Sequence, residues 1–157
     1  MNLTSLTGVH ISHDEARELI ETVFPNILNQ IEYKFQSATL YGVGNVDPED
    51  VNLIVGTYNT DNKVIKIIDT QDHDKMIQTI IHEIGHAIHF QLLQGQKFVF
   101  STNNKSKRAE FNYMEDFAEA FKDCVLHLYH NKEITRRDKQ MMSIIKPIQR
   151  SGINELT

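Results

Sequence analysis

The chain of 157 residues has one cysteine, three prolines and no tryptophan. A single thiol, Cys124, excludes an internal disulfide, so the fold is not a stapled secreted scaffold. No segment approaches the roughly 18 consecutive apolar residues of a membrane span. The first ten residues carry neither the basic region nor the apolar core of a signal peptide. Positive charge is also in deficit: 16 Lys and Arg against 21 Asp and Glu leave a net charge of -5. Nucleic-acid affinity comes mostly from clustered cations. The short basic groups here (Lys105, Lys107, Arg108, and Arg136, Arg137, Lys139) stand among acids and read as a solvated surface. The expectation is a soluble, cytoplasmic protein with no membrane and no nucleic-acid partner. No repeat, low-complexity tract or Pro/Gly/Ser-rich linker divides it, so residues 1–157 are expected to form a single domain.

What the chain does have is periodic. Ser12-His13-Asp14-Glu15 has the form of a capping box. Behind it Ala16, Leu19, Ile20, Val23, Ile27, Leu28, Ile31 and Phe35 recur at helical spacing, interrupted by Pro25, so one kinked helix or two short ones are expected. From Thr39 to Thr70 β-branched and aromatic residues take over, with a turn at Asn45–Pro48. The runs 53–58 and 64–68 flank Asn59-Thr60-Asp61-Asn62 and predict a hairpin. A loop at Asp61-Asn62, with those residues left-handed, sets Tyr58 opposite Ile65 and Gly56 opposite Ile67. A helix follows from about Asp74 to Gln94, capped by Asp72 or Thr70 and stopped by Gly95. Residues 96–107 read as loop, with 97–100 as a candidate short strand. A second long helix spans Arg108 to His130. A last one starts at the capping box Thr135-Arg136-Arg137-Asp138 and fades near Pro147. Helix, strands and then three helices make the fold class α+β.

Residues 82–86 read His82-Glu83-Ile84-Gly85-His86, an HExxH match. On a helix the two histidines are about 40° apart in azimuth and one turn apart in height. Both imidazoles then reach one zinc ion, and Glu83 can hydrogen-bond water beside the metal without ligating it. Ile77, Ile80, Ile81, Ile84, Ile88 and Leu92 surround the motif with apolar surface. Two histidines and a glutamate in such a helix are costly to bury without a compensating partner. The metzincin arrangement HExxHxxGxxH is excluded, because its Gly and third His positions hold His89 and Leu92. Downstream, Glu115 and Glu119 share one face of the next helix. One of them can bind zinc while the other accepts the free N–H of a ligand histidine.

HEIGH followed by Glu115-Asp116-Phe117-Ala118-Glu119-Ala120-Phe121 resembles the gluzincin metallopeptidases. The likeness is closest to the lethal-factor-like and Pro-Pro-endopeptidase-like zinc peptidases. In that group the glutamate opening the second stretch is the third ligand and the glutamate four later supports the site. The resemblance thus implies His82, His86 and Glu115 as ligands of one Zn²⁺, with Glu119 behind them. Glu115 stands 29 residues after His86, room for an antiparallel helix to return. The same E-x-x-A-x-x-F pattern resembles the ImmA/IrrE regulatory metallopeptidases, which again gives Glu115. The resemblance spans about Lys75 to Leu128. It implies a small zincin-like domain with an N-terminal helix, a short antiparallel sheet or hairpin, the HExxH helix, the glutamate helix and a C-terminal helix. It also implies a zinc-dependent endopeptidase acting on a peptide or protein substrate through a metal-activated water, with Glu83 as general base. In related zincins an edge strand above the HExxH helix receives extended substrate, and Val64–Ile68 is the strand expected to do so.

One position departs from the pattern. Lethal-factor-like enzymes carry a tyrosine seven residues before the ligand glutamate, and here that residue is Arg108. The oxyanion-stabilising group is left open among Arg108, Tyr113, Tyr41 and Tyr58, with Arg108 equally readable as a surface residue. The missing tyrosine favours an alternative, a zinc-containing binding or regulatory module with little or no turnover, while intact Glu83 argues against it. Of the other groups, His89 reads as a hydrogen-bonded structural histidine. His127 and His130 are too far along their helix from Glu115 to share its metal. His10, His13 and His73 read as exposed or cap-adjacent, Cys124 as a small buried apolar group, and Met141-Met142 as core filling.

Overall fold

The computed structural model describes residues 3–38, 56–69, 72–101 and 112–155. In chain order these form α1 (Leu3–Val23), a 3-10 turn (Leu28–Gln30), β1 (Lys34–Ala38), β2 (Gly56–Asn59), β3 (Val64–Ile68), α2 (His73–Leu92), α3 (Tyr113–Tyr129) and α4 (Arg136–Glu155). Four helices and a three-stranded sheet give the expected α+β domain. Residues 39–55, with Tyr41 and the turn at Asn45–Pro48, lie outside the described residues. So do Thr70 and residues 102–111, which include Arg108.

α1 starts well before the expected cap. Ser12 is fully buried inside it, with Oγ 3.0 Å from Nδ1 of His73, so this hydroxyl ties α1 to the start of α2. The helix stops ahead of Pro25, and Asn26 turns the chain with a left-handed φ of 72°. Phe35, helical by its spacing, therefore lies in β1. Its backbone groups are taken up by pairing with β3, a partner some thirty residues away that no local pattern reveals.

The sheet order is β1-β3-β2. β2 and β3 form the expected hairpin with Tyr58 opposite Ile65 and Gly56 opposite Ile67. β1 adds a parallel strand on the other side, Lys34 opposite Val64. The left-handed residue of the turn is Lys63 (φ 57°) rather than Asp61 or Asn62. Side-chain acceptors explain the difference. Asn59 Oδ1 takes the N–H groups of Asp61 and Asn62 at 2.8 and 3.2 Å, and Asn62 Oδ1 takes that of Val64 at 3.1 Å.

α2 is capped by Asp72, whose carboxylate accepts from the Lys75 N–H at 2.9 Å. Its Ile80, Ile81, Ile84 and Ile88 are fully buried, each contributing about 1.5–3 kcal/mol. The helix ends in two left-handed residues, Gln94 (φ 56°) and Gly95 (φ 68°). Residues 97–100 form no strand. α3 begins at Tyr113, where Asn112 caps it: Oδ1 accepts from the N–H groups of Met114 and Glu115 at 2.9 and 3.3 Å, while the expected start at Arg108 lies outside the described residues. α4 carries the predicted reciprocal cap, with Thr135 Oγ1 accepting from Asp138 N–H at 3.1 Å and Asp138 Oδ2 from Thr135 N–H at 2.9 Å. It continues through Pro147 to Glu155. Ile145 and Ile148 carry its apolar face past the proline, and Gln30 Nε2 donates to the Ile148 carbonyl at 3.1 Å, tying this part of α4 to the 3-10 turn. Arg137, expected on the surface, is buried at 3% exposure against Asp116. No described helix is long and apolar enough to cross a membrane.

Candidate metal centre

The HEIGH residues sit mid-helix on α2, and Gly85 lies between the two histidines where α2 crosses α3. A Cβ at Gly85 would stand 3.2 Å from both the Ala118 Cα and the Phe121 ring. Glycine facing alanine thus lets the two helices approach at the level where the first turn of α3 meets the imidazoles. Sequence and packing coincide here: the small residues set the distance, and the Asn112 cap sets where α3 begins.

That arrangement brings Glu115 onto both rings. Its Oε2 lies 2.9 Å from Nε2 of His82, and its Oε1 lies 3.2 Å from Nε2 of His86. The imidazoles are 5.0 Å apart and nearly perpendicular. Ligand atoms of His82, Glu83 and His86 all lie within 4.8 Å of one another. Burial opposes ionisation of Glu115, but hydrogen bonds from His82 and His86 outweigh it and hold the carboxyl well below the usual carboxylate range. Glu115 also sits in the first turn of α3, where the exposed N–H groups favour a negative charge. Tetrahedral donors about 2.0–2.1 Å from one zinc ion stand about 3.3 Å from each other. The imidazole–carboxylate separations of 2.9 and 3.2 Å, each made by a different Glu115 oxygen, are close to such an edge, and with the histidine ligand atoms within 4.8 Å of each other this donor set could hold one zinc ion.

A cleft of about 280 Å³ opens beside these groups, walled by Glu83, His86, Glu115 and Phe90 and by the β2 residues Gly56 and Tyr58. Glu83 is buried at 6% exposure. A Cβ on Gly56 would stand 2.6 Å from the Thr79 methyl and 3.4 Å from Glu83 Cγ, so the bare backbone lets β2 lie against the catalytic candidate. The strand at the cleft is therefore β2. Val64–Ile68, expected to offer a free edge, is the middle strand and has both edges engaged.

Glu119, one turn beyond Glu115, is half-buried. Tyr113 is 40% exposed and its ring packs edge-on to His89, while Tyr58 is the tyrosine among the described residues that lines the cleft. His89 has the expected structural character: it is fully buried, bonds the Gln96 carbonyl through Nε2 at 2.7 Å and stacks on Phe117, and burial lowers its pKa. His127 pairs with Asp138 at 2.7 Å, away from the centre. Cys124 is buried, which pushes its thiol pKa up, and Met141 fills the core. His13 is not simply exposed: it stacks on Phe35 at 4.0 Å and lies 2.7 Å from the Tyr33 hydroxyl.

Sequence reasoning missed the cleft's far wall and the helix cap. Asn112-x-x-Glu115 was the available signal for the cap, since an Asn followed three residues on by Glu marks a helix start. Gly56 and Tyr58 share one face of the hairpin, but nothing local says that this face meets α2. Compared with protein-family models, curated proteins and solved structures, the chain has no match.

Proposed function

We propose that this domain is a zinc-dependent endopeptidase, with His82, His86 and Glu115 holding one zinc ion and Glu83 serving as general base. The observation that carries the reading is the Glu115 carboxylate facing both Nε2 atoms from a separate helix, with Glu83 on the adjoining edge of the same cleft. Zinc in such a site supplies a Lewis acid that acidifies water and polarises a carbonyl. Glu83 takes a proton from the attacking water and passes it to the departing amine nitrogen as the C–N bond breaks. Its burial excludes bulk solvent from that exchange. β2 orients the substrate: an extended peptide pairs along the strand's outer edge, to which no described strand is bonded. Peptides or proteins are the substrate class.

The test compares zinc-loaded protein with its Glu83→Gln form against a peptide library read by mass spectrometry. The expected result is one zinc per chain in both, with new termini produced only by the unaltered protein. Zinc bound at that stoichiometry with no cleavage by either form would establish the non-catalytic binding module instead.

A further inference from the structure

The cleft at Glu115 has a neighbour. A cavity of about 680 Å³ shares Tyr58, Thr60 and Phe90 with it, so one continuous wall leads from the histidines past the Tyr58 ring. The far side of this cavity is polar, formed by Gln30, Glu32, Lys63 and Gln91. Gln91 is fully engaged. Its Oε1 accepts from the Glu32 N–H at 3.0 Å, and its Nε2 donates to the Glu32 carbonyl at 2.7 Å and to the Tyr58 hydroxyl oxygen at 2.9 Å. The Tyr58 oxygen is thereby used as an acceptor, and its own proton has no acceptor among the described residues. Lys63 and Glu32 balance each other's charge across 2.6 Å at an exposed position.

We infer that this cavity is the specificity subsite of the peptidase cleft and that it selects an asparagine or glutamine side chain of the substrate. The inference rests on the endopeptidase reading for the word substrate, but the recognition chemistry is its own. A carboxamide offers an oxygen to the Tyr58 O–H and an amide N–H to the Glu32 carboxylate oxygen that Lys63 does not hold, both groups lining this cavity. Because Lys63 and Glu32 neutralise each other, this wall offers no net charge to draw in an acidic or a basic side chain, which would have to break the pair to bind. An aliphatic side chain would cover the Tyr58 proton with nothing to accept it. The planar amide also matches the aromatic wall, where Tyr58 and Phe90 lie 6.5 Å apart.

Binding is measured by fluorescence polarisation of peptides scanned at each position against zinc-loaded Glu83→Gln protein. At one position Asn or Gln peptides should bind about tenfold more tightly than their Ala, Leu or Asp counterparts, the advantage of about one well-made hydrogen bond. Tyr58→Phe should shrink that ratio to about twofold or less. Glu32→Gln, at an exposed position that leaves folding intact, should admit Asp and Glu peptides. Equal binding of Ala peptides, a preference for acidic or aliphatic side chains, or an unchanged ratio in Tyr58→Phe would overturn the subsite. Cleavage by the unaltered protein without Asn or Gln preference overturns the subsite and keeps the peptidase. Asn- or Gln-selective binding with no cleavage does the reverse.

Discussion

His82, His86 and Glu115 meet across α2 and α3 with side-chain exposures between 10% and 20%, whereas Arg137 and Asp116, one residue along α3, meet at 4% and 3%. The second group is saturated. Arg137 donates to Asp116 Oδ1 at 2.7 Å and to the Ser101 carbonyl at 3.1 Å, and it lies over the Phe100 ring. A guanidinium does not give up its proton, so that pair has one state and acts as a bolt between α3 and α4. The first group opens on a cleft, and its imidazole nitrogens hold either a proton or a lone pair. Neighbouring residues on one helix therefore serve different ends, divided by whether their polar atoms can exchange partners.

The largest effect should come from Glu115→Ala. Zinc affinity, followed by competition with a chelating dye, is expected to fall by a hundredfold or more, on the order seen when a metal loses a ligand or its orienting partner. The apoprotein should keep its far-UV circular dichroism, because a half-open group was removed. Arg137→Met should show the opposite signature. It leaves Asp116 buried and unpaired, at a cost of about 3–5 kcal/mol in urea unfolding, while the folded fraction keeps its zinc affinity. Replacing Asp116 by Leu in the same chain should restore most of that stability. Lost zinc affinity in an Arg137→Met protein that melts normally would erase the distinction.

A third polar cluster lies between these two in character and should give the smallest effect. Burial, then the neighbouring Arg17 charge, lowers the pKa of His13 from 6.5 to about 4. The unfolded chain therefore takes up this proton first as pH falls. Stability from the site is present above about pH 6.5 and is lost as pH drops toward about 4. Because His13 is half-open to solvent, the loss should be on the order of 1 kcal/mol. His13→Phe should flatten the unfolding midpoint across that window, and an unchanged slope would place the titration elsewhere.

Much of the architecture was legible because its causes are local. Asp72 and Thr135 announce the starts of α2 and α4 through bonds made within three or four residues. The hairpin register follows from counting through Asn59-Thr60-Asp61-Asn62. β1 was hidden because its residues also fit a helical period, and only pairing with Val64–Ile68 made them a strand. Arg137 was misread for a related reason: charge predicts exposure until a partner such as Asp116 is buried with it. The same pairing of β3 on both sides moved the cleft-facing strand to β2.

Residue order by itself determined that His82 and His86 share a helix face one turn apart, because four residues of α-helix return almost to the same azimuth. It also determined two helix caps and one strand register, each a matter of neighbours in the chain. Only the tertiary structure decided that Glu115 reaches both rings, that Gly56 and Tyr58 form the opposite wall, and that the charges of Asp116 and Arg137 are sealed inside. Those outcomes depend on how closely α2, α3, α4 and the sheet approach. The approach is set by packing at places such as Gly85 against Ala118, where volume excluded between distant segments, rather than spacing along one of them, fixes the distance.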